Sequence, residues 1–587
     1  MLMRLSPPTL PEPTVHPLSP YSQPETATLR WSYLAFALSL GFALFISYVR
    51  PPLSGYFTTD EQFIADSGVF MLYGATPRCL DWPGIPMVLV FYVLAIGQCG
   101  LNLLAAATSG PLTAVDAFGI VDKTVYTYLT DRVPLLVAGR TVQLLLVFGL
   151  LFWCIQLIYK SQVALLPRVM RFPLVVLLCL SFDVLAGAPV VRPEGLAYAL
   201  FAVASLLVLV GNFREGSWRL PVIVLGVMAL MISQRLLFVF TFPFLLGGLL
   251  LQMGFSLRRA VGTLALLLLC TLLAMPFLFT DSFVVLKAFL GGMLQKVNGA
   301  PQPTYFNWTY IRDSVLGTPT VWQAALIVIG SVAFWRFYPK RGVAALLLGN
   351  LLFLTVTIFH ASKIYHTHTL PIRCLTLFPL LYGLYWLYRA TNRIWVMYGL
   401  LAIYVMANAY EGWDMVRASF ISNPMWDVVT YLKTLPDSKR VLIDPIFDNV
   451  APRSQKTLAR ELSNIQDMTL TQVKYKRQLG GKVEGDVPIA MVATLSEDER
   501  LAVLQRQVLA RYTPAGRFPD SFVYTDYPGF VNYFIDKASA MADFDKGQYD
   551  YLVTYEALPN RQPVRIFWTE AYWPAFFLYQ SPALARQ

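Results

Sequence analysis

The sequence predicts a polytopic α-helical membrane protein with a C-terminal soluble α/β domain, and three observations carry this. Hydrophobic residues make up 56% of the 587-residue chain and charged residues only 14%, against roughly 25% in a soluble globular chain. The mean hydropathy is +0.53. Apolar runs of about 20 residues, the length a bilayer requires, recur from Trp31 to Tyr410 and then stop.

Residues 1–30 are Pro-rich and polar, the composition of a disordered tail. The first apolar run, Trp31 to Val49, is longer than a signal-peptide core and lacks a clean cleavage site. It reads as a retained transmembrane helix. Further runs lie at 84–107, 134–159, 172–190, 195–211, 219–233, 236–253, 260–279, 319–336, 342–360, 370–388 and 394–410. The transmembrane domain thus covers 31–410.

Segment 84–107 decides the topology, because every later loop changes side if it spans. If it does not, a cytoplasmic N-terminus leaves 12 basic residues in five short inside loops, from Lys160 to Arg393. The longer outer loops then carry 7. The positive-inside rule favours that arrangement. The expectation is therefore about 11 spans, with 84–107 interfacial or re-entrant inside a first outer loop of 50–133. The interior "GQCGLN" (Gly97 to Asn102) also weakens it as a lipid-facing span. Residues 411–587 then share the non-cytoplasmic face.

That C-terminal region reads as an α/β domain. "MWDVVTYLKTLPDSKRVLIDPIF" (Met425 to Phe447) predicts an amphipathic helix, a turn and a buried strand. Ser496 to Tyr512 predicts a second helix with a Ser N-cap. Tyr549 to Glu556 and Val564 to Trp573 predict strands.

The net charge of +11 is accounted for by cytoplasmic loops, and no nucleic acid partner is expected. Six scattered cysteines show neither zinc nor disulfide spacing. There is no P-loop and no Gly-rich dinucleotide fingerprint. A cytosolic nucleotide-sugar donor would need such a site, whereas a lipid-linked donor would not.

The stretch "GYFTTDEQFIADSGVFMLYG" (Gly55 to Gly74) places two acids, Asp60 and Glu61, just after the first span. A capping box from Thr58 or Thr59 explains them as the start of a helix. Phe63, Phe70 and Tyr73 would let that helix lie on a membrane surface. "YGATPRCLDWPGIP" then leads into the next apolar stretch.

Together these residues resemble the first outer loop of the C-type glycosyltransferase superfold, which includes lipid A aminoarabinose transferases and protein O-mannosyltransferases. Asp60 and Glu61 match its acid pair, and Tyr73-Gly74 to Pro77 match its Gly-x-Pro part. Trp82-Pro83-Gly84-Ile85-Pro86 stands where His-Pro-Pro is usual. The resemblance covers mainly residues 31–200. It implies surface helices in the first outer loop and an integral-membrane, inverting glycosyltransferase with a polyprenyl-phosphate-sugar donor. The acceptor would be a glycan, lipid or protein on the non-cytoplasmic face, which in a bacterium is the periplasmic face of the inner membrane. Asp60 becomes the catalytic base or orienter of the nucleophile, with Glu61 supporting it or only capping the helix.

Two further clusters are candidate substrate-binding residues. In "GAPVVRPEGLAYAL", Arg192 and Glu194 stand at the outer end of a span. A snorkelling Arg and an acid in the first helical turn explain them equally. In "FHASKIYHTHTLPIRCLTLFPLL", Lys363, His366, His368 and Arg373 gather at one membrane face, where Arg and Lys suit a phosphate and an interfacial belt of aromatic and basic residues is the alternative. The resemblance adds Tyr365, which with Arg373 and Pro379 matches a comparable segment of that family. His366 and His368 lack a third ligand, so no metal site is assigned and the cofactor is unknown. Tyr305, Phe306, Trp308 and Tyr310 in loop 280–318 fit sugar stacking or an interfacial belt. The competing class is a lipid-linked sugar transporter or flippase. Charges midway along spans would favour it, and Asp183 and Arg235 are the candidates.

Overall fold

The computed structural model describes residues 25–49, 59–73, 84–109, 133–160, 166–211, 217–275, 321–359, 370–416, 441–443, 521–525, 532–554, 557–568 and 574–584, with isolated residues between them. Residues 1–24 of the N-terminal tail, loop 280–318, Lys363, Tyr365, His366 and the helix expected at Ser496 to Tyr512 lie outside the described residues. Residues 25–30, expected to belong to a disordered tail, are instead helical and open the first helix.

The fold is that of a polytopic α-helical membrane protein. Each apolar run of the sequence is helical where it is described, with run 172–190 broken into two helices at Leu180–Ser181 and run 236–253 opening on a 3-10 helix, Leu236–Thr241. The helices are α1 (Glu25–Val49), α2 (Thr59–Phe70), α3 (Ile85–Ser109), α4 (Val133–Lys160), α5 (Arg168–Cys179), α6 (Phe182–Gly187) and α7 (Pro193–Val210). They continue as α8 (Arg219–Gln234), α9 (Phe242–Met253), α10 (Leu257–Ala274), α11 (Val321–Phe337), α12 (Arg341–Phe359), α13 (Leu370–Thr391) and α14 (Ile394–Val416). Among the described residues nine spans are long and apolar enough to cross a membrane, and three shorter apolar helices accompany them.

Burial separates inner from outer helices. Helix α7 is buried at every residue and forms the centre. Helix α10, at the periphery, exposes Leu257, Val261, Leu264, Leu268 and Leu273. An apolar helix with an apolar outer face suits lipid rather than water. Where helices must touch closely, small residues allow it. Helices α11 and α13 meet at Gly330 and Gly383. A Cβ on Gly330 would lie 1.8 Å from the Pro379 carbonyl oxygen, and one on Gly383 2.3 Å from that of Leu326.

Antiparallel contacts define two ends of the bundle. Tyr48, at the end of α1, is hydrogen-bonded to Thr141 near the start of α4, 2.5 Å away. Ser32 and Tyr159 meet at the opposite end, 2.7 Å apart. The Tyr338 hydroxyl donates to the Leu209 carbonyl there, and Lys340 bonds Gln252. That second end carries the basic residues Lys160, Arg219, Arg259 and Arg393.

The chain between α1 and α4 leaves and re-enters at one end. The Phe91 ring in the second turn of α3 lies against Gly139 in the second turn of α4, so α3 and α4 both start there. Asn102 in α3 donates to Thr124 (2.8 Å), tying the returning segment to α3. Helix α3 is unbroken across Gly97 and Gly100, and by length and composition it could cross a membrane.

After α14 the chain builds a six-stranded mixed sheet. Its strands are β1 (Val441–Ile443), β2 (Ser521–Thr525), β3 (Asn532–Asp536), β4 (Tyr551–Thr554), β5 (Arg565–Trp568) and β6 (Pro574–Gln580), in the order β3-β2-β1-β4-β6-β5. Strands β1 and β4 pair in parallel and the remaining neighbours are antiparallel. Alternation fills both faces. Val441, Val553 and Leu578 join Val428 on one side. Leu442, Leu552 and Phe577 join Phe544 of helix α15 (Lys537–Asp545) on the other.

Candidate functional site at one end of the bundle

The acid pair opens α2, and α2 is held on three sides. Gly68 lets α3 approach, since a Cβ there would lie 2.5 Å from Phe91 Cβ. Phe91 in turn fills the space above Gly139. Gly84, in the left-handed conformation at φ 56°, places its backbone against Ile64 of α2. Its N–H donates to the Gln234 carbonyl (3.2 Å), fixing the start of α3 to the end of α8. The Trp-Pro-Gly-Ile-Pro turn therefore uses its glycine for a conformation that other residues adopt at a cost.

Next in the chain after Gly139 is Arg140, and it secures α2. Its Nε donates to Glu61 Oε1 (2.8 Å) and its Nη2 to Glu61 Oε2 (2.7 Å). The Val191 N–H donates to the same carboxylate at 3.3 Å. Both side chains of the pair are fully buried. A buried carboxylate of this kind is tolerated only when paired and hydrogen-bonded. Glu61 is thus engaged inside the protein. Asp60 lies one residue earlier in the first turn of α2.

The loop 188–192 is fixed to the same place. The Gln143 side-chain amide donates to the carbonyls of Gly187 (3.2 Å), Ala188 (3.4 Å) and Val190. Ser47 donates to that of Pro189 at 3.0 Å. Arg192 then precedes Pro193, which occupies the first turn of α7, and Glu194 lies in that turn as the sequence anticipates. Arg192 Nε is 4.0 Å from Glu194, and Arg235 Nη1 is 3.2 Å from it. Glu194 and Arg235 are buried, whereas Arg192 keeps about a quarter of its side chain exposed.

Arg373 is at the same end but already engaged. Its Nε and Nη2 bind both oxygens of Asp183 at 3.0 and 2.5 Å. Asn408 accepts from the Phe182 N–H (3.2 Å) beside Asp183. Asp183 and Arg235 thus lie in helix termini at one end, in ion pairs, and not midway along spans.

The end therefore gathers Asp60, Glu61, Arg192, Glu194 and Arg373 from the residues singled out in sequence. Arg140, Gln143 and the pairing role of Arg235 were missed. A lone Arg in an apolar span calls for a partner, and that rule would have found Arg140. Charges largely cancel within Glu61–Arg140 and Asp183–Arg373. In the group Arg192, Glu194 and Arg235, two guanidinium groups approach one carboxylate. Among the described residues no cluster of three His, Cys, Asp or Glu side chains could hold a metal ion.

No family model matches the chain, and no curated protein matches it. Solved structures with limited similarity to it include two oligosaccharyltransferases. One is the archaeal oligosaccharyltransferase AglB from Archaeoglobus fulgidus in complex with an inhibitory peptide and a dolichol-phosphate. It is 12% identical, with a TM-score of 0.36, over 69% of this chain and 58% of that one. The other is an Archaeoglobus fulgidus oligosaccharyltransferase with Zn and sulfate, 10% identical, with a TM-score of 0.34, over 68% and 55%. The aligned region is less than two thirds of either neighbour's length.

Proposed function

We propose that this protein is an integral-membrane glycosyltransferase. It moves a sugar from a polyprenyl-phosphate donor to an acceptor hydroxyl on the non-cytoplasmic face. One observation carries the reading: the backbone of an acid pair is locked, through Glu61 and Arg140, to the bundle end where Arg192, Arg235 and Arg373 collect. The motif resemblance of residues 55–86 supports it.

In this reading the opposite, basic end faces the cytoplasm, in keeping with positive-inside charge placement. Helix α3, in the same reading, lies along the membrane surface, which keeps the end of α1 and the start of α4 on one side. The C-terminal α/β domain, following α14, is on the site's side, periplasmic if the membrane is a bacterial inner membrane.

The chemistry is a single displacement. Asp60 accepts the proton of the acceptor hydroxyl as the acceptor oxygen bonds the anomeric carbon. The bond from that carbon to the phosphate oxygen breaks, and its electron pair leaves with the phosphate. The anomeric configuration inverts. General-base assistance of this kind contributes about 10²–10⁴-fold. Arg192 and Lys363 neutralise the departing phosphate, with Tyr365 and His366 as further substrate-binding residues, while Arg373, held by both oxygens of Asp183, adds no net charge to the site. Glu61 acts through Asp60 as a positioning residue, held by Arg140.

The test is transfer by the purified full chain in proteoliposomes, with a polyprenyl-phosphate-linked sugar and envelope acceptors. Covalent product identified by mass spectrometry supports the enzyme. Movement of the lipid-linked sugar across the bilayer without product supports a flippase instead.

A further inference from the structure

Three acid–arginine pairs stand at the site end, and they are not alike. Glu61–Arg140 and Asp183–Arg373 are bidentate, with aligned N–H donors at 2.5–3.0 Å. Glu194–Arg235 is different. A single N···O approach of 3.2 Å joins them. Among the described residues neither carboxylate oxygen of Glu194 has a hydrogen-bond partner, and neither does Arg235 Nε. Gln234, the preceding residue, is fully buried with both side-chain polar atoms likewise unpartnered. Buried polar groups are normally satisfied, and a half-satisfied cluster is costly to keep. Its neighbours demonstrate that this fold can saturate a carboxylate.

We propose that Glu194 and Arg235 form a recognition subsite for the hydroxyl groups of a neutral sugar. This rests on the donor reading above. The open positions are two carboxylate acceptors and one guanidinium donor. A vicinal diol offers matching O–H donors and oxygen acceptors. A phosphate would meet Glu194 as a like charge. The more exposed Arg192 faces the anion, and the sugar attached to that anion occupies the deeper pair. Because the buried groups would be left unpaired without it, the subsite discriminates for the sugar more than it adds raw affinity.

The experiment is equilibrium binding of two probes to the detergent-solubilised full chain. One is a short-chain polyprenyl phosphate, the other the same lipid carrying a single neutral hexose. The wild-type protein is expected to prefer the glycosylated probe by about tenfold or more, the scale of hydrogen bonds to charged groups. Glu194→Gln keeps the shape of the side chain, and Arg235→Lys keeps the charge beside Glu194. Each is expected to lose that preference while binding the bare phosphate as before, which also reports correct folding. Full preference retained in either variant overturns the subsite and leaves the cluster as a water site. Equal wild-type binding of both probes overturns it as well. Failure of the wild type to bind either probe is a distinct result, because it removes the donor reading itself.

Discussion

Arg140 reaches across from α4 to hold both oxygens of Glu61 at 2.7 and 2.8 Å, with neither side chain exposed to solvent. This contact joins residues 79 positions apart and ties the first turn of α2 to the bundle. Breaking one partner leaves a buried charge uncompensated, which costs about 3–5 kcal/mol. Glu61→Leu and Arg140→Leu are each expected to lower thermal stability of the solubilised full chain by that order. The double variant is expected to be more stable than either single one, because no lone charge remains. Melting of all four proteins checks this.

The crossing of α11 and α13 makes a second prediction. Gly330→Ala and Gly383→Ala place a methyl group against backbone that has no room to move, so both are expected to prevent folding or to lower stability by several kcal/mol, about the overpacking cost or more. Gly226→Ala and Gly349→Ala meet no atom within 4 Å. They are expected to be neutral or stabilising by up to about 1 kcal/mol. Yield of monodisperse protein separates the two groups.

Much of this fold could be read in the sequence, since length and hydropathy alone mark a buried or lipid-facing helix. The twelve apolar runs are helical where described, including the short ones at 195–211 and 219–233, although 172–190 is broken into two helices at Leu180–Ser181. The strands at Val441, Tyr551 and Arg565 also formed. Strands β2, β3 and β6 and helix α15 were missed, as short segments with weak periodicity. The acid pair was legible as a motif, but its buried anchor was not. Arg140 sits in "VPLLVAGRTVQ", where a single Arg reads as an interruption until its partner 79 residues away is known.

The placement of α3 gives a third prediction. In a background lacking the six native cysteines, Ser109→Cys is expected to react with a membrane-impermeant thiol reagent from the side that labels Arg192→Cys. Lys160→Cys is expected to react only from the opposite side. Ser109→Cys labelled together with Lys160→Cys would mean that α3 crosses the bilayer.

Arg192 is the most exposed cation of the Glu194 group. Arg192→Ala is expected to weaken binding of a polyprenyl phosphate about tenfold, the scale of one charge-assisted hydrogen bond. Arg192→Lys is expected to recover only part of it, because an ammonium lacks the planar fork. Titration of the reconstituted protein measures both.

The most direct test of the account is Asp60→Asn in the reconstituted full chain. The amide keeps the shape of the side chain and removes its basicity. Sugar transfer is expected to fall by about 10²-fold or more, with donor binding and melting temperature unchanged. Transfer at the wild-type rate by a normally folded Asp60→Asn protein would contradict the assignment of the reaction to this carboxylate.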